Sequence, residues 1–156
     1  MRKLIPAALL FACLSFDAPA QTAPQESRLR GAFAPLLAPE GDTRPATGEV
    51  RMRLEDDGDL RVDLVVSGLT ERATAATLHL GRGSEGGEQV ARMDVAADGP
   101  VARVVGATAR LSPLVAERVR SGEAYVLLRT NEHPDGLLRA PLAPQARSFE
   151  AVVAGD

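Results

Sequence analysis

The chain has 156 residues and a formal net charge of −3, a length that suits one domain and a charge that argues against nucleic acid, whose binders are usually basic. It has no tryptophan, one tyrosine and four phenylalanines, so its core must be mostly Val, Leu and Ala, and a stack of aromatic platforms for sugars or bases is not expected. Its single cysteine is Cys13.

Arg2 and Lys3 make a positive n-region, residues 4–16 are a short apolar run, and Ala18-Pro19-Ala20 is a small-residue cleavage site before Gln21. This is the layout of a secretory signal peptide. The run is too short to span a bilayer, which takes ~20 residues. The expected product starts at Gln21, is secreted or periplasmic, and has no transmembrane segment, no disulfide and no thiol. Leu10-Phe11-Ala12-Cys13 also resembles a bacterial lipobox, which would make the protein an envelope lipoprotein anchored through Cys13. Phe11 is bulky for that role and the apolar run continues past Cys13, so cleavage after Ala20 is preferred.

Residues 21–28 read as a disordered lead, and residues 31–38, apolar with Pro35, as an edge strand. Val50, Met52 and Leu54 alternate with Arg51, Arg53 and Glu55, and Leu60, Val62 and Leu64 with Arg61, Asp63 and Val65. Period two with one wet face means antiparallel strands on a core. Asp57-Gly58 between them is a two-residue hairpin signal. Residues 74–80 form the next strand, and residues 81–87 a glycine-rich loop. Residues 89–95 and 101–105 are two more strands, turned at Asp98-Gly99-Pro100. Ser112 is an N-cap and Pro113 the first residue of a short helix to Arg120, with Leu114, Val115, Arg118 and Val119 on its apolar side and Gly122 as its stop. Residues 124–130 and 137–142 make a hairpin around the loop 131–136, and residues 148–153 suggest a last strand. Many short strands with regular turns and one helix predict an all-β sandwich or small barrel.

The final hairpin, SGEAYVLLRTNEHPDGLLRAPL, resembles the end of the CHRD (chordin-type) domain, common in secreted bacterial proteins. That family ends in a pattern near G-x-x-Y-V-N-V-H-T, a few residues, then P-x-G-E-I-R-G-Q-L. Gly122, Tyr125, Val126, Thr130, Pro134, Gly136, Arg139 and Leu142 stand in register with it. The resemblance implies an immunoglobulin-like or Cu,Zn-superoxide-dismutase-like Greek-key β-sandwich over residues 29–142, with residues 143–156 as an extension. It brings no firmly assigned activity.

The family usually carries histidines, in H-I-H-G and in V-H-T, and three on neighbouring strands would suit a transition metal. Anchored on Gly81, the first motif becomes Leu78-His79-Leu80-Gly81; slipped by one residue, it puts Thr77 and His79 on the two histidine positions. The third position is Arg129, for which Glu132 and Asp135 are nearby candidate carboxylate partners. In either register one imidazole at most survives, so no metal and no cofactor is expected, against the alternative of a metal-dependent, dismutase-like protein. His133 reads as an exposed loop histidine with only Glu132 and Asp135 near it. The acidic run 55–59 does not have the spacing of a calcium loop. The 81–87 loop lacks the following helix of a phosphate loop. Arg51, Arg53 and Arg61 are expected to face solvent in a lattice with Glu49 and Asp63. No nucleophile has a signature spacing, so no catalytic residue is assigned. The expectation is a non-catalytic binding or structural module for an extracytoplasmic protein or surface ligand. Its contacts would come from the 81–87 and 131–136 loops, through Arg82, Glu85, Arg129, Glu132, His133 and Asp135.

Overall fold

The structure, a computed structural model, describes residues 26–37, 41, 44–82 and 86–146. Alternating apolar residues build its first three strands, β1 (Ser27–Pro35), β2 (Thr47–Leu54) and β3 (Asp59–Ser67). Leu29, Phe33, Val50, Met52, Leu54, Leu60, Val62, Leu64 and Val66 turn inward and are buried, because successive strand residues face opposite sides of a sheet. The intervening Arg51, Arg53 and Arg61 stay exposed. Then come β4 (Ala73–Leu80), β5 (Gln89–Asp94), β6 (Ala96–Asp98), β7 (Val101–Arg110), α1 (Pro113–Arg120), β8 (Ala124–Thr130), β9 (Leu138–Pro141) and β10 (Ala143–Pro144).

The strands pair in the order β5-β4-β8-β9-β1-β2-β3-β7-β6, with β10 beside β1. The two ends of this path, β5 and β6, are neighbours in the chain. The expected all-β sandwich is therefore one antiparallel sheet curled into a nearly closed barrel. Ala76, Leu78 and Leu80 of β4, Val126 and Leu128 of β8, and Leu138 and Ala140 of β9 face the first three strands across a shared core.

Three local details differ from the sequence reading. β1 is not an edge: residues 27–33 pair with β2, and Ala34 and Pro35 pair with β9. Pro35 is tolerated because it is the last residue of the strand, where a missing N–H interrupts little of the ladder. The turn after β2 is not a two-residue loop on Asp57-Gly58. The Gly58 N–H donates to Glu55 O at 3.1 Å, so Asp56 and Asp57 are the turn centre. Gly58, at φ +92°, is the left-handed residue that follows. In α1, Ala116 and Val119 are buried, whereas Leu114 is 76 % exposed. Leu114 lies roughly 200° round the helix from Ala116, so it cannot share the core-facing side.

The ends of α1 form as its sequence predicts. Ser112 Oγ accepts from the Val115 N–H at 3.4 Å. At the other end Gly122 N–H donates to Val119 O and Glu123 N–H to Arg118 O, each at 3.0 Å, which is a Schellman stop. The chain leaves it directly into β8.

Candidate functional site

β4 is buried on both sides. Ala76, Leu78 and Leu80 fill the core, while Ala75, Thr77 and His79 lie on the opposite, outer face of the sheet. The register sets His79 across from Tyr125, Thr77 across from Leu127, and Leu127 across from Arg139. Two loops border this face. The chain after residue 85 returns over β4, where Leu80 N–H donates to Glu88 O at 2.9 Å. The 131–136 loop lies over Leu127, so that a Cβ on Gly136 would stand 3.3 Å from Leu127 Cδ2. The outer face is therefore a second, polar layer bordered by Gly87, which meets His79 and Tyr125, and by the 131–136 loop.

One hydrogen-bonded chain runs through that layer. Arg129 Nε–H donates to Thr77 Oγ1 at 3.2 Å. His79 Nδ1 is 3.0 Å from Gly87 O. A carbonyl only accepts, so the Nδ1 carries a proton; a guanidinium only donates, so the Nε2 that faces Arg129 offers its lone pair. Thr77 Oγ1–H donates to that lone pair at 2.9 Å, and Arg129 Nη2 also points at it from 3.4 Å. Gly87 N–H in turn donates to Tyr125 Oη at 2.7 Å. His79 stacks on Tyr125 with centroids 5.2 Å apart and planes 8° from parallel. Arg139 also lies over that ring, its Cζ 3.8 Å from the centroid, a cation–π distance.

The three positions that carry histidine in the resembling family can be placed on this geometry. Leu78 and Leu80 are 0 % and 4 % exposed and belong to the core, facing away from Arg129. Residues 77, 79 and 129 meet on the outer face. The register slipped by one residue is thus the one in which the three positions form a cluster. Threonine and arginine occupy two of them, and neither is a metal ligand of the usual kind. The third, His79, offers its lone pair to Thr77. Among the described residues no group of three or more His, Cys, Asp or Glu is placed to hold a metal ion.

A second cluster lies beneath the 131–136 loop, on the other side of β8. Thr130 Oγ1–H donates to Glu71 Oε2 in a short hydrogen bond, and His133 Nδ1–H donates to the same oxygen at 2.9 Å. The His133 backbone N–H donates to Thr130 Oγ1 at 3.0 Å. The expected exposed loop histidine is therefore a half-buried partner of Glu71, a residue far away in sequence. Burial opposes ionisation of Glu71, but the hydrogen bonds from Thr130 and His133 and the His133 charge outweigh it and hold the carboxyl below its usual range. Beside Glu71 is a shallow hollow of about 330 Å³ lined by Leu69, Thr70, Arg72, Ala97 and Gly99.

The remaining candidates separate. Arg129 pairs with neither Glu132 nor Asp135; its Nη1–H donates to Pro134 O at 3.1 Å and its Nη2–H to Gln89 Oε1 at 3.4 Å. Glu132 and Asp135 are exposed on the loop. Arg82 is at the far end of β4, 3.5 Å from Glu123. Asp63 does not lace the arginine face, because its Oδ1 accepts the Gly106 N–H at 2.7 Å; Arg51 pairs with Glu49 at 2.5 Å. Glu85, Cys13, Ala20, Gln21 and the suggested strand at 148–153 lie outside the described residues. Sequence reasoning missed Thr77, Gln89 and Glu71 as site members. Thr77 was visible only in the slipped register, and Glu71 carried no local signal.

A model of the CHRD domain family matches residues 26–142. Searches of curated proteins and of solved structures return no match. Among the described residues no helix is long and apolar enough to cross a membrane.

Proposed function

The chain belongs to the CHRD domain family, and we propose that it is a secreted or periplasmic, non-catalytic binding module. The observation that carries this reading is the closed hydrogen-bond chain from Arg129 through Thr77 and His79 to Gly87 and Tyr125. It fixes both loops onto one polar face and uses up the one imidazole there. A rigid scaffold that presents two loops is suited to recognition.

The Glu71 cluster supports the same reading. A nucleophilic hydroxyl needs a general base that takes its proton and a path to substrate. Thr130 gives its hydrogen bond to a carboxylate, not to the imidazole, and is 1 % exposed. The cluster ties the 131–136 loop to the β3–β4 connection and needs no reaction to account for it. The leader in residues 1–20 supports an extracytoplasmic address.

The test is capture from an extracytoplasmic fraction with the domain beginning at Gln21. The expected result is a partner or surface component retained by the wild type and not by a sandwich domain of another family. Retention of nothing beyond that control overturns the reading, as does turnover of a substrate by the purified domain.

A further inference from the structure

Arg129 and Arg139 stand apart from the other arginines. Arg28, Arg51, Arg82, Arg110, Arg118 and Arg120 each have a carboxylate within ion-pair reach. Arg30, Arg44, Arg53, Arg61, Arg72, Arg92 and Arg103 have none among the described residues but are exposed, where water solvates them. Arg129 and Arg139 are half-buried and, among the described residues, lack a carboxylate. The Nε of Arg139 is also out of reach of solvent and has no hydrogen-bond partner among the described residues. A guanidinium that has lost part of its water without gaining a counter-charge is costly. In a chain of net charge −3 general basicity does not explain it.

We infer that this face binds an oxyanion, a carboxylate or phosphate group of the ligand, between Arg129 and Arg139; the inference rests on the binding-module reading. Leu127 is across from Arg139 and two residues from Arg129 on β8, so the arginines are diagonal neighbours whose backbones stand about 7–8 Å apart. Each is held in place before any ligand arrives. Tyr125 supports the plane of Arg139, and Thr77 and Pro134 O fix Arg129. A guanidinium has five N–H groups; Arg129 spends four of them, on Thr77, Pro134, His79 and Gln89, which leaves one on Nη1, whereas Arg139 makes no hydrogen bond among the described residues. The planar fork of Arg139 suits the two oxygens of a carboxylate or phosphate, and the remaining Nη1–H of Arg129 adds a single further donor. Across the sheet Arg92 faces Thr77 in register and adds a third positive charge, with Asp94 beyond it at the strand end.

Tyr125 is the only tyrosine and tryptophan is absent, so tyrosine emission reports directly on the ring beneath Arg139. The experiment titrates the Gln21-start domain with inorganic phosphate in one series and citrate in another, at constant ionic strength. Tyrosine emission and the Arg Nε–H resonances are followed. The expected result is a saturable change in both signals, with Arg129 and Arg139 shifting together. The stronger series identifies phosphate or carboxylate as the natural group. Arg139→Gln and Arg129→Gln should each weaken binding about tenfold or more. Arg139→Lys, which keeps the charge but not the fork, should fall between, and Arg103→Gln on the other half of the sheet should change nothing. An unsaturable response, or one that Arg129→Gln and Arg139→Lys retain in full, overturns the inference. If the doubly substituted domain still captures its partner, the arginine site is wrong and the binding reading survives. If anions bind but no partner is captured, the reverse holds.

Discussion

Glu71 Oε2 takes two donors at once, the Thr130 hydroxyl and the His133 ring. Because its carboxyl is held below the ordinary value, the ionised form is favoured more in the folded than in the unfolded chain. That stabilisation is complete above the ordinary carboxylate range and is lost as pH falls through the lowered, folded value. Chemical denaturation from pH 7 down to pH 3 should therefore show the wild type losing stability over that window. Glu71→Gln should be less stable at neutral pH, by about 1.5–3 kcal/mol for a lost hydrogen bond to a charged group, and should lack that part of the acid dependence. Equal acid slopes for the two proteins would contradict the assignment. None of this cluster was legible from sequence. His133 has only Glu132 and Asp135 as chain neighbours, and its true partner is brought in by the crossing from β3 to β4. The Arg129 position, in contrast, was legible as a departure from a family pattern, though its partners were not. The carboxylates beside it in the loop point elsewhere, and the acceptors come from β4, the following loop and Pro134.

At the scale of elements, glycines decide how the loops lie on the sheet. A Cβ on Gly87 would fall 1.6 Å from Leu80 O and 3.3 Å from Tyr125 Oη, whereas a Cβ on Gly86 meets nothing within 4 Å. Gly87→Ala should therefore lower stability by about 1–3 kcal/mol, as overpacking does, and alter Tyr125 emission. Gly86→Ala should stay within about 0.5 kcal/mol of wild type. Similar unfolding midpoints for the two would refute the clamp of this loop on Tyr125. Gly122 is at φ +82°, so Gly122→Ala should cost about 1–2 kcal/mol through the left-handed backbone alone. The element types were readable because each signal is local: period-two strands, Ser112-Pro113 at the helix start, glycine at its end. The helix face was misread at Leu114, since two turns of helix carry too few residues to fix which side meets a core.

For the whole molecule, the curled sheet explains why one face of β4, β8 and β9 became a polar second layer. The core takes Leu78, Leu80, Val126 and Leu128 from one side of the strands, and Gly87 and the 131–136 loop border the other. The fold class followed from strand pattern and family resemblance. The central place of β1 did not, because Pro35 suggests an edge and its pairing with both β2 and β9 depends on closure of the whole sheet. At the centre of that polar layer, positions 77, 79 and 129 form a closed hydrogen-bond chain in which His79 Nδ1 donates to Gly87 O, His79 Nε2 accepts, and Arg129 is the cation. The most direct measurement is the ring-nitrogen NMR spectrum of His79 at pH 7.5, recorded alone and with one equivalent of zinc. The predicted result is a protonated Nδ1 and a bare Nε2 accepting a hydrogen bond, with neither resonance moved by the metal. A protonated Nε2, or an Nε2 resonance that shifts stoichiometrically with zinc, would contradict the account.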